Sequence, residues 1–189
     1  MDVTIIMDFI KEVFEDVDKA HDFDHCIRVY KNALNIMSSI QCVNTEVVIL
    51  SALLHDVSDQ KLFSSQKHLD KWFAKHPSKF EFEIRKVISE VSFSSQKKPS
   101  SIEAKIVQDA DRLDAIGAIG IARVFTYGGH IDRPIYSESS ESSFSHFYKK
   151  LFKIKELLNT EKAKSIAEVR EKYMRDFILV FADELEGKR

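Results

Sequence analysis

At 189 residues and 44% apolar, the chain is long enough to bury a core of ordinary size, so one domain over residues 1–189 is expected. A formal net charge of -2, with no long block of either sign, argues against nucleic-acid binding, which usually shows as a clear positive excess on one face. Cys26 and Cys42 build neither a CxxC motif nor a disulfide framework. No N-terminal stretch has the order of a secretion signal and no run approaches the apolar length of a membrane span, so a reduced cytoplasm is the expected setting.

Five glycines and three prolines are too few for an architecture of many tight hairpins, and the apolar spacing is helical nearly throughout. Ile5, Ile6, Phe9, Ile10, Val13 and Phe14 make an amphipathic opening helix. Cys26, Val29, Tyr30, Ala33, Leu34 and Met37 repeat at three and four residues, with His25 at the head of their stripe. Val47-Val48-Ile49-Leu50-Ser51-Ala52-Leu53-Leu54 is apolar almost without interruption, as a helix buried on all sides would be. Phe80, Phe82, Ile84, Val87 and Ile88 begin a further segment. Residues 92–101, rich in Ser and Lys and carrying Pro99, read as a loop. Residues 127–145 hold Gly128-Gly129, Pro134 and a run of Ser and Glu, which predicts a long loop. It is either a mobile lid near a site or a disordered insertion. Ile166, Val169, Tyr173, Phe177, Val180 and Phe181 then predict a terminal covering helix. The fold class is all-α, a compact bundle of roughly seven to nine helices at typical helix length.

The chemistry begins at His55-Asp56, directly behind the apolar run. An imidazole and a carboxylate at the edge of a core are costly to bury unless something pairs with them. A divalent ion would satisfy both. Neighbouring helical residues diverge by about 100°, yet they can straddle one ion at a helix end. His25 and Asp111 stand at sensible places to join them. His21 lies four residues before His25, a spacing that can put two imidazoles on one helical face. In the competing reading Asp22 or Asp24 caps that helix and His21 lies outside it. Asp109, Asp111 and Asp114 are followed by Ala115, Gly117, Ala118, Gly120 and Ala122. Interior glycines each cost a helix roughly 1 kcal/mol against alanine, so a close approach of another helix or a ligand is expected here. Asp111 and Asp114 are one turn apart, so one can bind metal while the other orients a neighbour.

A histidine, then His-Asp, then a distant Asp is the ligand order of the HD-domain metal-dependent phosphohydrolases, and the chain resembles that superfamily. The strings AHDFDH at residues 20–25 and DADRLDAIGAIGIAR at residues 109–123 are similar to a subfamily of small single-domain HD hydrolases. The similarity runs over about residues 20–136. It implies His25, His55, Asp56 and Asp111 as metal ligands, the last because the second aspartate of a D-x-D-[KR]-x-D segment binds the ion. Two imidazoles and two carboxylates suit Mn²⁺, Fe²⁺, Co²⁺, Zn²⁺, Mg²⁺ or Ni²⁺, and the resemblance favours Mn²⁺.

The same resemblance gives Asp59 a catalytic role on the attacking water or the leaving group, where the family pattern often has Glu. Lys61, in the string HDxxDxK, is implied as a phosphate contact, with Arg28 and Arg112 as further candidates. The activity implied is cleavage of a phosphoanhydride or phosphoester in a small nucleotide. A nucleoside triphosphate pyrophosphohydrolase comes first, with a 5′-nucleotidase and an alarmone hydrolase as alternatives. Outside enzymology, the alternative is a regulatory or scaffolding helical protein that keeps a metal for stability. The partner expected is a small phosphorylated substrate, with the chain a monomer or a homodimer.

Overall fold

The computed structural model describes residues 2–15, 23–57, 67–91 and 97–188. Among them there are nine α-helices and no strand, as the apolar periodicity predicts. The chain divides into two compact units, Met1–Asp111 and Arg112–Arg189.

The first unit holds α1 (Val3–Val13), α2 (Phe23–Met37), α3 (Thr45–Leu54), α4 (Lys67–Lys75), α5 (Glu81–Val91) and most of α6 (Ile102–Asp114). Helix α3 is its centre and packs against α1, α2 and α5, which is why its sequence is apolar all round. Asn44 caps it, its side-chain oxygen accepting from the Val47 N–H at 3.3 Å and satisfying one of the orphan donors of the first turn. Leu53 and Leu54 of α3 are fully buried, as are Ile6, Ile10, Val29, Ala33, Ile36 and Ile84 of the helices packed against it. Phe82, counted by spacing among the apolar positions of α5, is instead 78% exposed. In α5 the buried face is Ile84, Val87, Ile88 and Val91, and Phe82 lies off that stripe.

The second unit holds α7 (Gly117–His130), α8 (Ser143–Lys149), two 3-10 turns at Leu151–Lys153 and Lys155–Leu157, and α9 (Glu161–Leu185). The segment from Asp109 to Arg123 is not the unbroken helix implied by reading its glycines as interior. It breaks at Ala115-Ile116, and Gly117 starts α7 with φ +83°, a left-handed conformation that favours glycine. A Cβ there would meet the side chain of Arg170 at 3.0 Å. Arg170 also donates from Nη1 to the Leu113 carbonyl at 2.5 Å, occupying one acceptor at the end of α6. Asp114, nearly fully buried, pairs with Arg123.

The long loop is also shorter than predicted. Residues 127–130 belong to α7 and residues 143–145 to α8, leaving 131–142 as the connection. Gly128 does not break the helix, because it is there to let Ser143 approach its backbone. Ser142 and Ser145 form a reciprocal capping box at the start of α8, so part of the serine run starts a helix. In α9 the buried stripe is Ala163, Ala167, Met174 and Ile178, not the predicted Ile166, Val169, Tyr173 and Phe177. Val169 and Tyr173 are 72% and 56% exposed. Small alanines take the inner face, while Phe177 and Phe181 stand at its edge and pack with Phe125, Phe144 and Phe147. Of the serine- and lysine-rich stretch, residues 92–96 lie outside the described residues and 97–100 are irregular, with Ser101 a bend before α6.

Candidate metal centre

Three helices bring four side chains to one place in the first unit. His25 comes from the first turns of α2, His55 and Asp56 from the end of α3, and Asp111 from the last turn of α6. His25 is 3% exposed, and His55 and Asp56 are buried. The His25 and His55 Nε2 atoms lie 3.2 Å apart. His25 Nε2 is 3.4 Å from Asp56 Oδ2 and 3.4 Å from Asp111 Oδ1. His55 Nε2 is 3.3 Å from Asp56 Oδ1 and 3.8 Å from Asp111 Oδ1. The Asp56 carboxylate thus lies beside the imidazole of its neighbour His55, despite their divergence around the helix.

The chemistry of this set fits a cation. His55 Nδ1 lies 2.9 Å from the carbonyl oxygen of Ala52. A carbonyl only accepts, so Nδ1 carries the hydrogen and donates, leaving Nε2 of the neutral imidazole as a lone pair. That lone pair faces two carboxylates and a second imidazole nitrogen. A fixed tautomer held by a backbone carbonyl is the usual support of a metal-binding histidine. The spacings agree. Two ligands each about 2.1 Å from one ion stand about 3.0 Å apart at right angles and about 3.4 Å apart at the tetrahedral angle. His25, His55 and Asp111 each offer one ligand atom within 4.8 Å of the others.

The remaining sequence candidates are placed as follows. Asp109 is fully buried, and the carboxylate that reaches the two imidazoles is that of Asp111, two residues on. Asp114 pairs with Arg123 in the second unit. Arg28 lies one turn after His25 on α2 and is half-buried. Arg112 donates from Nη1 to the Leu157 carbonyl, so part of its guanidinium serves the fold. His21, Asp22, Asp59 and Lys61 lie outside the described residues. The Ala52 carbonyl was not foreseen, because a backbone acceptor leaves no signature in the order of residue types.

The HD domain family model matches residues 22–116, a span that contains all four converging side chains. The chain belongs to the HD-domain family. It is thereby one of the metal-dependent phosphohydrolases of the HD superfamily, and the scaffold alternative falls away. Bacillus subtilis YpgQ is 33% identical over 193 residues, covering 96% of this chain and 93% of that protein. Among solved structures, a Listeria innocua protein is 40% identical with a TM-score of 0.80, covering 98% of both chains. An HD-superfamily hydrolase of Bacillus thuringiensis is 38% identical with a TM-score of 0.81, covering 97% of this chain and 96% of that one. YpgQ in complex with ADP gives a TM-score of 0.82 at 29% identity, with both chains fully covered. Among the described residues no helix is long and apolar enough to cross a membrane.

Proposed function

We propose that this hydrolase acts on a small nucleotide, cleaving a nucleoside triphosphate to its monophosphate and pyrophosphate with Mn²⁺ at the four-ligand centre. The reading is carried by the His25 and His55 Nε2 atoms, 3.2 Å apart and each within 3.3–3.8 Å of the Asp56 and Asp111 carboxylates. A nucleotide as the ligand is supported by the ADP complex of YpgQ. When bound, the ion supplies Lewis acidity towards a phosphoryl oxygen and makes a nearby water more acidic. The imidazoles of His25 and His55 and the carboxylates of Asp56 and Asp111 would hold it in place. Asp59 takes the proton of the attacking water through its carboxylate. Lys61 and Arg28 bind phosphate oxygens and offset the negative charge that develops on them. Arg112 already donates one N–H to Leu157, so we assign it the smaller share.

The test is a panel of nucleoside mono-, di- and triphosphates and alarmones, each with one divalent ion, with both products identified by ion-exchange chromatography. A monophosphate and pyrophosphate in equal amounts are expected from a triphosphate. Orthophosphate released from monophosphates would make the enzyme a 5′-nucleotidase. Pyrophosphate released only from alarmones would make it an alarmone hydrolase, and no turnover of any nucleotide would overturn the reading.

Lys61→Met separates phosphate recognition from metal binding. The substitution keeps most of the aliphatic stem and removes the charge. One lost charge-assisted hydrogen bond is worth about 1.5–3 kcal/mol, so kcat/KM should fall about 10- to 150-fold. Metal affinity should not change, because a protonated ammonium is not a ligand. Steady-state kinetics beside calorimetric metal titration checks both statements, and a parental kcat/KM would remove Lys61 from the site.

A further inference from the structure

One polar contact ties together two of the helices that carry the centre, and it involves a side chain that no motif singles out. Asn32 lies on α2 seven residues after His25. Seven residues are nearly two full turns, so both project from one face of the helix, about 10 Å apart along its axis. His25 uses that face to reach the Asp111 carboxylate at 3.4 Å. Asn32 uses it to donate from Nδ2 to the carbonyl oxygen of Ala110 at 3.1 Å.

The acceptor is a telling one. The Ala110 carbonyl belongs to the peptide unit that ends at the Cα of Asp111, and the atoms of a peptide unit lie close to one plane. Restraining that oxygen restrains the position from which the Asp111 side chain departs. Helix α2 therefore meets Asp111 twice, with the His25 imidazole 3.4 Å from its carboxylate and Asn32 bonded to the backbone just before it. The contact is half-buried, where water competes less well for the amide than at an open surface.

We infer that Asn32 is a positioning residue of the metal centre, its side-chain amide fixing the backbone at Asp111 so that the carboxylate meets His25 and His55. This rests on the four-ligand centre and not on the identity of the nucleotide. Outer partners that orient metal ligands typically contribute 10- to 100-fold in metal affinity, and Asn32 should fall in that range. The amide acts on a backbone atom, so it orients Asp111 without changing the charge of the centre.

The experiment is Mn²⁺ titration of the full chain, followed by calorimetry and by the electron paramagnetic resonance signal of free Mn²⁺, with the apo melting temperature measured beside it. Asn32→Leu removes the donor at similar volume, and Asn32→Ala removes it without adding bulk. Both should bind Mn²⁺ about 10- to 100-fold more weakly, while the apo melting temperature changes far less than the metal-induced rise. Asn32→Gln, which keeps the amide on a longer arm, should recover part of the affinity. Parental Mn²⁺ affinity in either donor-less variant overturns the inference. So does a failure of both to fold, since the amide would then hold the unit together and not the centre. If the parent itself binds no divalent ion, the four-ligand reading fails first, and the titration shows that before any variant is compared.

Discussion

Asp111→Asn is expected to abolish metal-dependent stabilisation and to lower the hydrolytic rate by well over the 100-fold that marks the loss of an outer partner. The substitution keeps the shape of the side chain and removes the negative charge that two imidazole nitrogens face at 3.4 and 3.8 Å. A ligand present at 100 times its Kd stabilises the folded state by about 2.7 kcal/mol. For a chain of this size 1 kcal/mol corresponds to about 2–4 °C in melting temperature. The parent should therefore rise by about 5–11 °C on metal addition, and Asp111→Asn by a small fraction of that. Without metal the variant should be at least as stable as the parent. The Asp56 and Asp111 carboxylates share His25 Nε2 as a neighbour, and removing one of two like charges relieves repulsion. Differential scanning fluorimetry with and without Mn²⁺ or a chelator reads both effects. Asp109→Asn is the control. If it loses the metal-induced rise while Asp111→Asn keeps it, the ligand of the segment is Asp109.

Asp59→Asn should separate proton transfer from metal binding. A positioned general base contributes about 10²–10⁴-fold, and kcat should fall by that amount. The metal-induced rise in melting temperature should stay at the parental value, because the four proposed ligands are untouched. A variant that loses the rise together with activity would make Asp59 a ligand. One that turns over at the parental rate would take it out of the chemistry.

These expectations rest on residues of very different legibility. The all-α class was readable because apolar periodicity reports local geometry, and α3 was readable because a helix surrounded by others must be apolar on every side. The cost of burying polar groups at the edge of a core pointed to His55-Asp56, and the full order His25, His55-Asp56, Asp111 came from the resemblance to the HD-domain phosphohydrolases. Their convergence was not, because it depends on how α2, α3 and α6 pack.

Where periodicity and packing disagreed, packing decided. Spacing picks out one set of large side chains on α9, yet the buried face follows Ala163, Ala167, Met174 and Ile178, because the packing of α9 against its neighbours sets which stripe faces inward. Gly117 and Gly128 read in the sequence as interior strain and as a loop signal. In the structure they are a helix start beside Arg170 and a point of approach for Ser143. The sequence by itself determined the residue types that can hold a cation and the helices that carry them. The tertiary structure alone decided which nitrogen of His55 stays free to bind, through the Ala52 carbonyl, and how α2 meets the backbone at Asp111, through Asn32. Both are hydrogen bonds to backbone carbonyls, which every residue carries, so the partner is chosen by geometry and leaves no mark in the order of side chains.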